Sequence, residues 1–446
     1  MDLSLLLAVL AGIALLLVLI LLVRLQAFLA LLLASLATGI LAGMEPIAII
    51  NTMQEGMGNT LGFVATVVGL GALFGAILES SGGASSLARY MIQTFGERRA
   101  SWALLITGFL VAIPVFFDVG FIILVPLAYA LQRKTGRSLL LYALPLLAGL
   151  AITHAFIPPT PGPVAVADIL QADLGWVIVI GAITGLPTAM LAGPVFARYI
   201  SGRLQVTAPT FSDAKQVSAG FPPVWMILMI ILFPIVLIVV NTVLNSPLAA
   251  DWPVPGGLRR WMQLIGHPFA ALILANLLAW YLLGIRRGMS REDLFRLSAK
   301  SMEPAGVIIL LTGAGGVFKQ MLVNTGAGDM LATYFIGSGL GVLLFAFVAA
   351  LLVRVLQGSA TVAMITGAGI TAPLLDPGLA DPQRALLVIA IAAGATGVSH
   401  VNDSGFWLVS KYLGISEGQT FRTWTLMTTL IALIGFGVAC VISFFL

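Results

Sequence analysis

From Leu3 to Val23 the chain runs 21 residues without a charged side chain, and the runs 25–44 and 423–446 repeat the pattern. A helix rises about 1.5 Å per residue, so about 20 apolar residues cross the ~30 Å hydrocarbon core of a bilayer. Runs of this kind fill most of the sequence. Lys and Arg number 22 and Asp and Glu 18, or 9% of 446 residues, with a mean hydropathy of +1.08. A soluble domain carries about 25% charge. The chain is therefore an all-α polytopic membrane protein, because a helix satisfies its own backbone in lipid. Soluble enzymes, nucleic-acid binders and secreted disulfide scaffolds are excluded. The net charge of +4 lies in short loops rather than along one face, so no nucleic-acid partner is expected. Cys440 is the only cysteine, which leaves no intramolecular disulfide and no cysteine metal cluster. The first Lys or Arg is Arg24, after the first run, so that run is expected to stay as a helix that begins outside, not to be a cleaved signal peptide.

Full spans are predicted at 3–23, 25–43, 61–80, 139–170, 174–198, 224–245, 267–285, 304–322, 383–410 and 422–446. Two are interrupted, by Pro158-Pro159-Thr160-Pro161-Gly162-Pro163 and by Asn402-Asp403-Ser404-Gly405. Proline breaks a helix, and irregular backbone at membrane depth survives only inside protein or beside a water-filled cavity. The runs 101–131 and 340–372 are each about 30 residues long and fit either one long helix or a hairpin of two half-spans. Loop charge decides between them. Arg89, Arg98 and Arg99 precede the first run and Arg133, Lys134 and Arg137 follow it, so both of its ends are cytoplasmic. The second run lies between loops 323–339 and 373–384, which hold Asp329, Asp376 and Asp381 against one Arg, so both of its ends are external. Each run reads as a re-entrant hairpin, the two entering from opposite faces. Ten spans and two hairpins put both termini outside. Loop 246–266, with Arg259 and Arg260, is the one misfit.

An internal repeat supports this topology. Residues 69–90 and 313–334 match at eight of 22 positions without gaps, among them Gly69/Gly313, Gly71/Gly315, Phe74/Phe318 and Tyr90/Tyr334. Chance would give roughly two in so biased a composition. Each copy is followed by a hairpin and then by a broken helix, and the broken helices carry Thr153-His154 and Ser399-His400. Five crossings separate the copies, so they are inverted. Inverted repeats with broken helices near the midplane are a secondary-transporter plan. The organisation read from sequence is N-terminal scaffold helices over 1–60, a first repeat over 61–200, linker loops and two scaffold spans over 201–303, and a second repeat over 304–446.

Ionisable groups inside the membrane are costly and mark function. Asp118, at the turn of the first hairpin, is the candidate proton carrier, against the alternative of a cap for backbone N–H groups. Arg354, in the second hairpin, keeps its proton and needs an anion, either a substrate carboxylate or a protein one. Ser359 and Thr361 at that hairpin's tip offer hydroxyls. His154 and His400 hold matched places in the repeat, and His154 is the second candidate for proton coupling. Thr160, Asn402 and Asp403 supply polar groups at the breaks, where turn chemistry is their plainer use. Lys319 is either buried or reaches the surface, and Glu79 and His267 sit near span ends. Gly326-Ala327-Gly328-Asp329 matches a GxGD protease string but falls in an external loop with no partner Tyr-Asp pair in the chain. HExxH, Walker A and Cys/His zinc patterns are absent, so no cofactor, metal or catalytic role is expected.

The strings Thr153-His154-Ala155-Phe156-Ile157-Pro158-Pro159-Thr160-Pro161-Gly162-Pro163 and Ser399-His400-Val401-Asn402-Asp403-Ser404-Gly405-Phe406-Trp407 resemble the gluconate permease family of bacterial proton symporters. So do Gly358-Ser359-Ala360-Thr361-Val362, Phe318-Lys319-Gln320 and Phe117-Asp118-Val119-Gly120-Phe121, and the resemblance runs the length of the chain in order. It implies proton-driven uptake of gluconate or a related sugar acid across the bacterial inner membrane, H+ as the coupling ion, paired re-entrant hairpins and a homodimer. Family members differ in substrate, D-serine included. The family often has Glu where Asp118 stands and Pro where Ser404 stands. On this reading Arg354, Ser359 and Thr361 hold the carboxylate, while Thr160, His154, His400, Asn402 and Asp403 contact hydroxyls or line the cavity. The alternative is a sodium-coupled carboxylate transporter, because similar hairpin tips bind sodium through hydroxyl and carbonyl oxygens.

Overall fold

The computed structural model describes residues 3–209, 221–245, 249, 252–325, 341–401 and 403–446, and the described residues form helices with no strand among them. In chain order the helices are α1 (Leu3–Leu21), α2 (Ala27–Leu41), α3 (Pro46–Ser80), α4 (Gly83–Phe95), α5 (Ala100–Val111), α6 (Phe117–Thr135), α7 (Leu140–Phe156), α8 (Pro161–Leu170) and α9 (Leu174–Ser201). They continue as α10 (Val224–Asn245), α11 (Gly256–Ile265), α12 (Pro268–Arg287), α13 (Arg291–Asn324), α14 (Val342–Gln357), α15 (Ala360–Thr371), α16 (Asp381–Thr396), α17 (Ser404–Leu413) and α18 (Glu417–Ser443). Among the described residues, seven stretches are long and apolar enough to cross a membrane: α3, α7 with α8, α9, α10, α12, α13 and α18. The chain is a multi-pass helical membrane protein.

The interruptions expected from sequence are present. Helix stops at Phe156 and restarts at Pro161, and stops at Thr396 and restarts at Ser404. The two 30-residue runs are each a pair of helices, α5 with α6 and α14 with α15. Helices α5 and α15 have 12 residues each, about 18 Å, too short to cross alone. The second repeat copy is described only as far as Thr325; its matched Gly326, Leu331, Ala332 and Tyr334 lie outside the described residues, as does Gly326-Ala327-Gly328-Asp329.

Three predicted boundaries differ. Helix α3 begins at Pro46 and has 35 residues, so most of the loop expected at 44–60 is helical. Pro46 opens the helix with φ preset, and the polar stretch that follows carries no further proline. Helix α13 likewise begins at Arg291, where the Ser290 hydroxyl accepts the Asp293 N–H at 3.0 Å, rather than at 304. The predicted spans 3–23 and 25–43 are helices of 19 and 15 residues joined through Arg24.

The long helices α3 and α13, which carry the first twelve positions of each repeat copy, form the most extensive helix pair among the described residues. Glycine makes this possible: a Cβ on Gly56 would lie 2.8 Å from the Gly316 carbonyl oxygen. With no hydrophobic drive between helices in lipid, such small residues let backbones approach. At the centre stands α7, buried at every position except Leu141 and His154, beside α16, buried from Ala385 to Thr396. Helices apolar all round belong in the interior. The short α11 leaves Leu258, Trp261 and Leu264 more than half exposed. Its Arg259 and Arg260 therefore sit on an amphipathic helix of the kind that lies along a bilayer surface, which accounts for the loop that broke the charge rule.

Candidate functional site

A cavity of about 570 Å³ lies where both hairpin tips, the second helix break and the last turns of α7 converge. Small-molecule sites run to about 300–1,000 Å³. Six residues singled out in the sequence line it: Asp118, His154, Arg354, Ser359, Thr361 and Asp403.

The hairpin of α14 and α15 turns at Gly358, whose φ of 89° only glycine takes readily. The Gly358 N–H closes α14 on the Arg354 carbonyl at 2.9 Å, and the Ser359 hydroxyl accepts the Val362 N–H at 3.3 Å to start α15. Arg354 is thereby set in the last turn, 4% exposed. Its Nη1 donates to the Gly358 carbonyl and its Nη2 to Oδ2 of Asp403, while its Nε is buried with no hydrogen-bond partner among the described residues. A buried guanidinium stays charged, so it demands an anion, and in this structure Asp403 is that anion.

Asp403 is anchored on its other sides. Its Oδ1 accepts the Gly405 N–H at 3.0 Å, capping α17, and its Oδ2 also accepts the Ser399 hydroxyl. Ser399 in turn has every polar group engaged. Its hydroxyl accepts the Trp424 indole N–H at 2.6 Å, its N–H donates to Thr428 Oγ1 at 3.1 Å, and its carbonyl accepts the Thr425 hydroxyl at 2.5 Å. The break is thus satisfied by α18, through the π-helical turn Phe421–Thr425, as unwound backbone at membrane depth requires.

Asp118, which also lines the cavity, sits in the first turn of α6. The N-cap is Phe116 and makes no side-chain cap bond, and Asp118 opens onto the cavity near enough to Asp403 for their charges to interact. Phe116 meets the His154 ring edge-on, with centroids 6.1 Å apart, and Phe117 lies 5.4 Å from Trp424. His154 Nδ1 is buried and has no hydrogen-bond partner among the described residues. The cavity therefore combines one fixed cation, two carboxylates, an imidazole and aromatic walls. Such a set can hold a carboxylate and exchange protons.

The other sequence candidates lie elsewhere. Thr160 does not line the cavity; its hydroxyl donates to the Ile157 carbonyl at 2.7 Å within the first break. His400 also stands outside, its Nε2 bonded to the Val355 carbonyl at 2.7 Å, so the two matched histidines have different surroundings. Asn402 lies outside the described residues. Lys319 is close enough to Asp168 of α8 for their charges to interact, Glu79 shares a separate pocket with Lys300 and Glu303, and His267 caps α12. Sequence reasoning passed over Ser399, Trp424 and Thr428, along with Gln357 and Thr396 in the cavity wall. One signal was available: Thr420, Thr423, Thr425, Thr428 and Thr429 crowd the start of an otherwise apolar span.

Comparison with known proteins places these features in a wider set. The family model described as GntP family permease matches residues 4–445. A gluconate permease of Pseudomonas aeruginosa is 40% identical, covering 97% of this chain and 96% of that protein. A low-affinity gluconate transporter of Escherichia coli is 39% identical, covering 97% of each, and the Gnt-II system L-idonate transporter of the same species is 37% identical, covering 95% and 96%. Among solved structures, the YdaH transporter of Alcanivorax borkumensis, with an unusual topology, superposes with a TM-score of 0.67 at 14% identity, covering 94% of this chain and 98% of that one. MtrF of Neisseria gonorrhoeae gives 0.63 at 17% identity, covering 89% and 84%. At these identities the structures speak for the fold alone.

Proposed function

The chain belongs to the GntP permease family, and from that premise we propose that it takes up gluconate, or a sugar acid differing from it in a few hydroxyls, across the bacterial cytoplasmic membrane by symport with protons. The observation that carries this reading is the buried Arg354 in a cavity it shares with Asp118 and Asp403. Arginine's fork suits a carboxylate, and the hydroxyls of Ser359, Thr361, Thr396 and Thr428 with the Gln357 amide suit a polyol. Charge balance supports the proton. The cavity holds two carboxylates against one guanidinium, so a carboxylate substrate brings a third negative charge into a poorly screened space. Neutralising a protein carboxylate by a proton removes that repulsion. Exposing the site alternately to the two sides would make the coupled step vectorial. By the same family reading the protein works as a homodimer, which native mass spectrometry in detergent would count.

The test is uptake of labelled gluconate into proteoliposomes. An inward pH gradient should drive accumulation that a protonophore abolishes and that replacing sodium with choline leaves intact. Accumulation that follows sodium and ignores pH would transfer the coupling to sodium, for which Thr361 and the other hairpin-tip oxygens are the ligands to examine. Failure of a panel of sugar acids, with gluconate among them, to accumulate under either gradient would sink the substrate class.

A further inference from the structure

Arg354 carries one positive charge, and Asp403 already pairs with it. Its Nη1 donates to the Gly358 carbonyl and its Nη2 to Asp403, and its buried Nε has no partner among the described residues. A guanidinium has five N–H groups, so a substrate carboxylate is not shut out, but a two-pronged grip on Nη2 and Nε sets it against Asp403 for the same nitrogen and the same charge. The Gly358 contact is part of the hairpin turn itself, so the contact open to exchange is the one with Asp403. Asp403 is the N-cap of α17, after the interruption that follows Thr396, and its Oδ1 accepts the Gly405 N–H while its Oδ2 accepts the Ser399 hydroxyl as well as Arg354. Gly405 and Ser399 hold the residue in place when Oδ2 swings off the guanidinium. The other carboxylate lining the same cavity is Asp118. Among the described residues the remaining titratable group on the cavity wall is His154 of α7, and His400, on the break that carries Asp403, is turned to the Val355 carbonyl.

We propose that Asp403 is a built-in competitor for the substrate: it holds Arg354 until a sugar-acid carboxylate takes the guanidinium, and once displaced it shares one proton with Asp118. This inference rests on the sugar-acid reading and gives that reading its coupling step. Two carboxylates that face one small cavity with no cation between them favour taking up a proton, so the displaced Asp403 and Asp118 draw one from solution. Substrate and proton then bind with positive linkage, and each strengthens the other. One ion pair is exchanged for another, and for each substrate bound one proton from solution forms an O–H bond on the carboxylate pair; no carbon–oxygen bond is made or broken. Proton uptake is thus a consequence of substrate binding rather than a separate event at a remote residue.

The experiment is titration calorimetry of the purified full-length protein with gluconate in buffers of different ionisation enthalpy, which counts protons taken up per gluconate. The wild type should take up about one proton near neutral pH. Asp403→Asn removes the competitor but keeps an oxygen to cap α17. It should bind gluconate about 5–150-fold more tightly, the usual range for linked sites, with no proton uptake. Asp118→Asn, which leaves the Arg354–Asp403 pair and the second break untouched, should also lose the proton uptake while showing no such gain in affinity. It keeps the test decisive should Asp403→Asn fail to fold. Wild-type binding with proton uptake that persists in Asp118→Asn, or in Asp403→Asn at unchanged affinity, overturns the exchange while leaving the sugar-acid reading intact. A wild type that binds gluconate with no proton uptake also overturns the exchange. Absence of gluconate binding to the wild type overturns both.

Discussion

The indole N–H of Trp424 donates to the hydroxyl of Ser399 at 2.6 Å, tying the last helix to the unwound segment that presents Asp403. Ser399 passes that constraint on, since its hydroxyl donates to the same Asp403 oxygen that holds Arg354. The position of the buried arginine's anion is therefore set by a neutral residue pair. Trp424→Phe keeps the ring beside Phe117 but removes the donor. It should cost about 1 kcal/mol of stability, the usual net worth of one hydrogen bond, and weaken gluconate binding several-fold. Thermal unfolding in detergent and binding calorimetry check both. Unaltered affinity would show that the Trp424 bond does not position the site.

Arg354→Lys tests whether two-pronged contact matters. A lysine ammonium is a point charge and cannot reach Gly358 and a carboxylate in the planar geometry of a guanidinium. Losing one charge-assisted bond is worth about 1.5–3 kcal/mol, so the dissociation constant for gluconate should rise tenfold or more. An affinity equal to that of the wild type would place the substrate carboxylate elsewhere.

Which parts of this site could be read from sequence follows from how each residue stands out. Asp118 and Arg354 are conspicuous because a charge inside an apolar run has no other explanation, and the proline-rich break shows because proline cannot continue a helix. Ser399 and Trp424 are neutral, and neutral polar groups are common in membrane helices, so only their bonds to one another reveal them. The pairing of Arg354 with Asp403 spans 49 residues and exists only once a hairpin tip and a helix break meet. The matched histidines show the limit of repeat logic: equivalent positions carry His154 onto the cavity wall and His400 onto a backbone carbonyl. The extension of α3 back to Pro46 escaped notice because hydropathy marks where lipid is, not where helix ends.

Thr160 and Thr361 contrast a hydroxyl spent on the backbone with one on the cavity wall. Thr160 donates to Ile157 inside the first break, whereas Thr361 lines the cavity. Thr160→Val should lower stability by about 1 kcal/mol and leave the KM for gluconate as it is. Thr361→Val should raise the KM several-fold at unchanged stability. The reverse pattern would exchange their roles.

Asp118→Asn addresses coupling in transport itself. An amide cannot take up the proton, so the variant should fail to accumulate gluconate against its gradient in proteoliposomes. Exchange of labelled for unlabelled gluconate at equal concentrations needs no net proton movement and should persist. Proton-driven accumulation at the wild-type level would remove Asp118 from the proton's path.

Val398 bears on how the second break is held open. Its φ of 47° lies in the left-handed region, where a β-branched residue is strained, and its neighbour Ser399 carries the bonds to α18. Strain of this kind costs about 1–3 kcal/mol. Glycine adopts the same backbone without that cost but adds freedom to the unfolded chain worth about 1 kcal/mol. The strain relieved matches or exceeds the freedom added, so Val398→Gly should leave the Tm unchanged or raise it. An ordinary valine-to-glycine change would lower it. Because the bonds from Trp424, Thr425 and Thr428 all go to Ser399, gluconate affinity should also be retained. A Tm several degrees lower would mean that packing of the valine side chain, rather than backbone strain, dominates at this position.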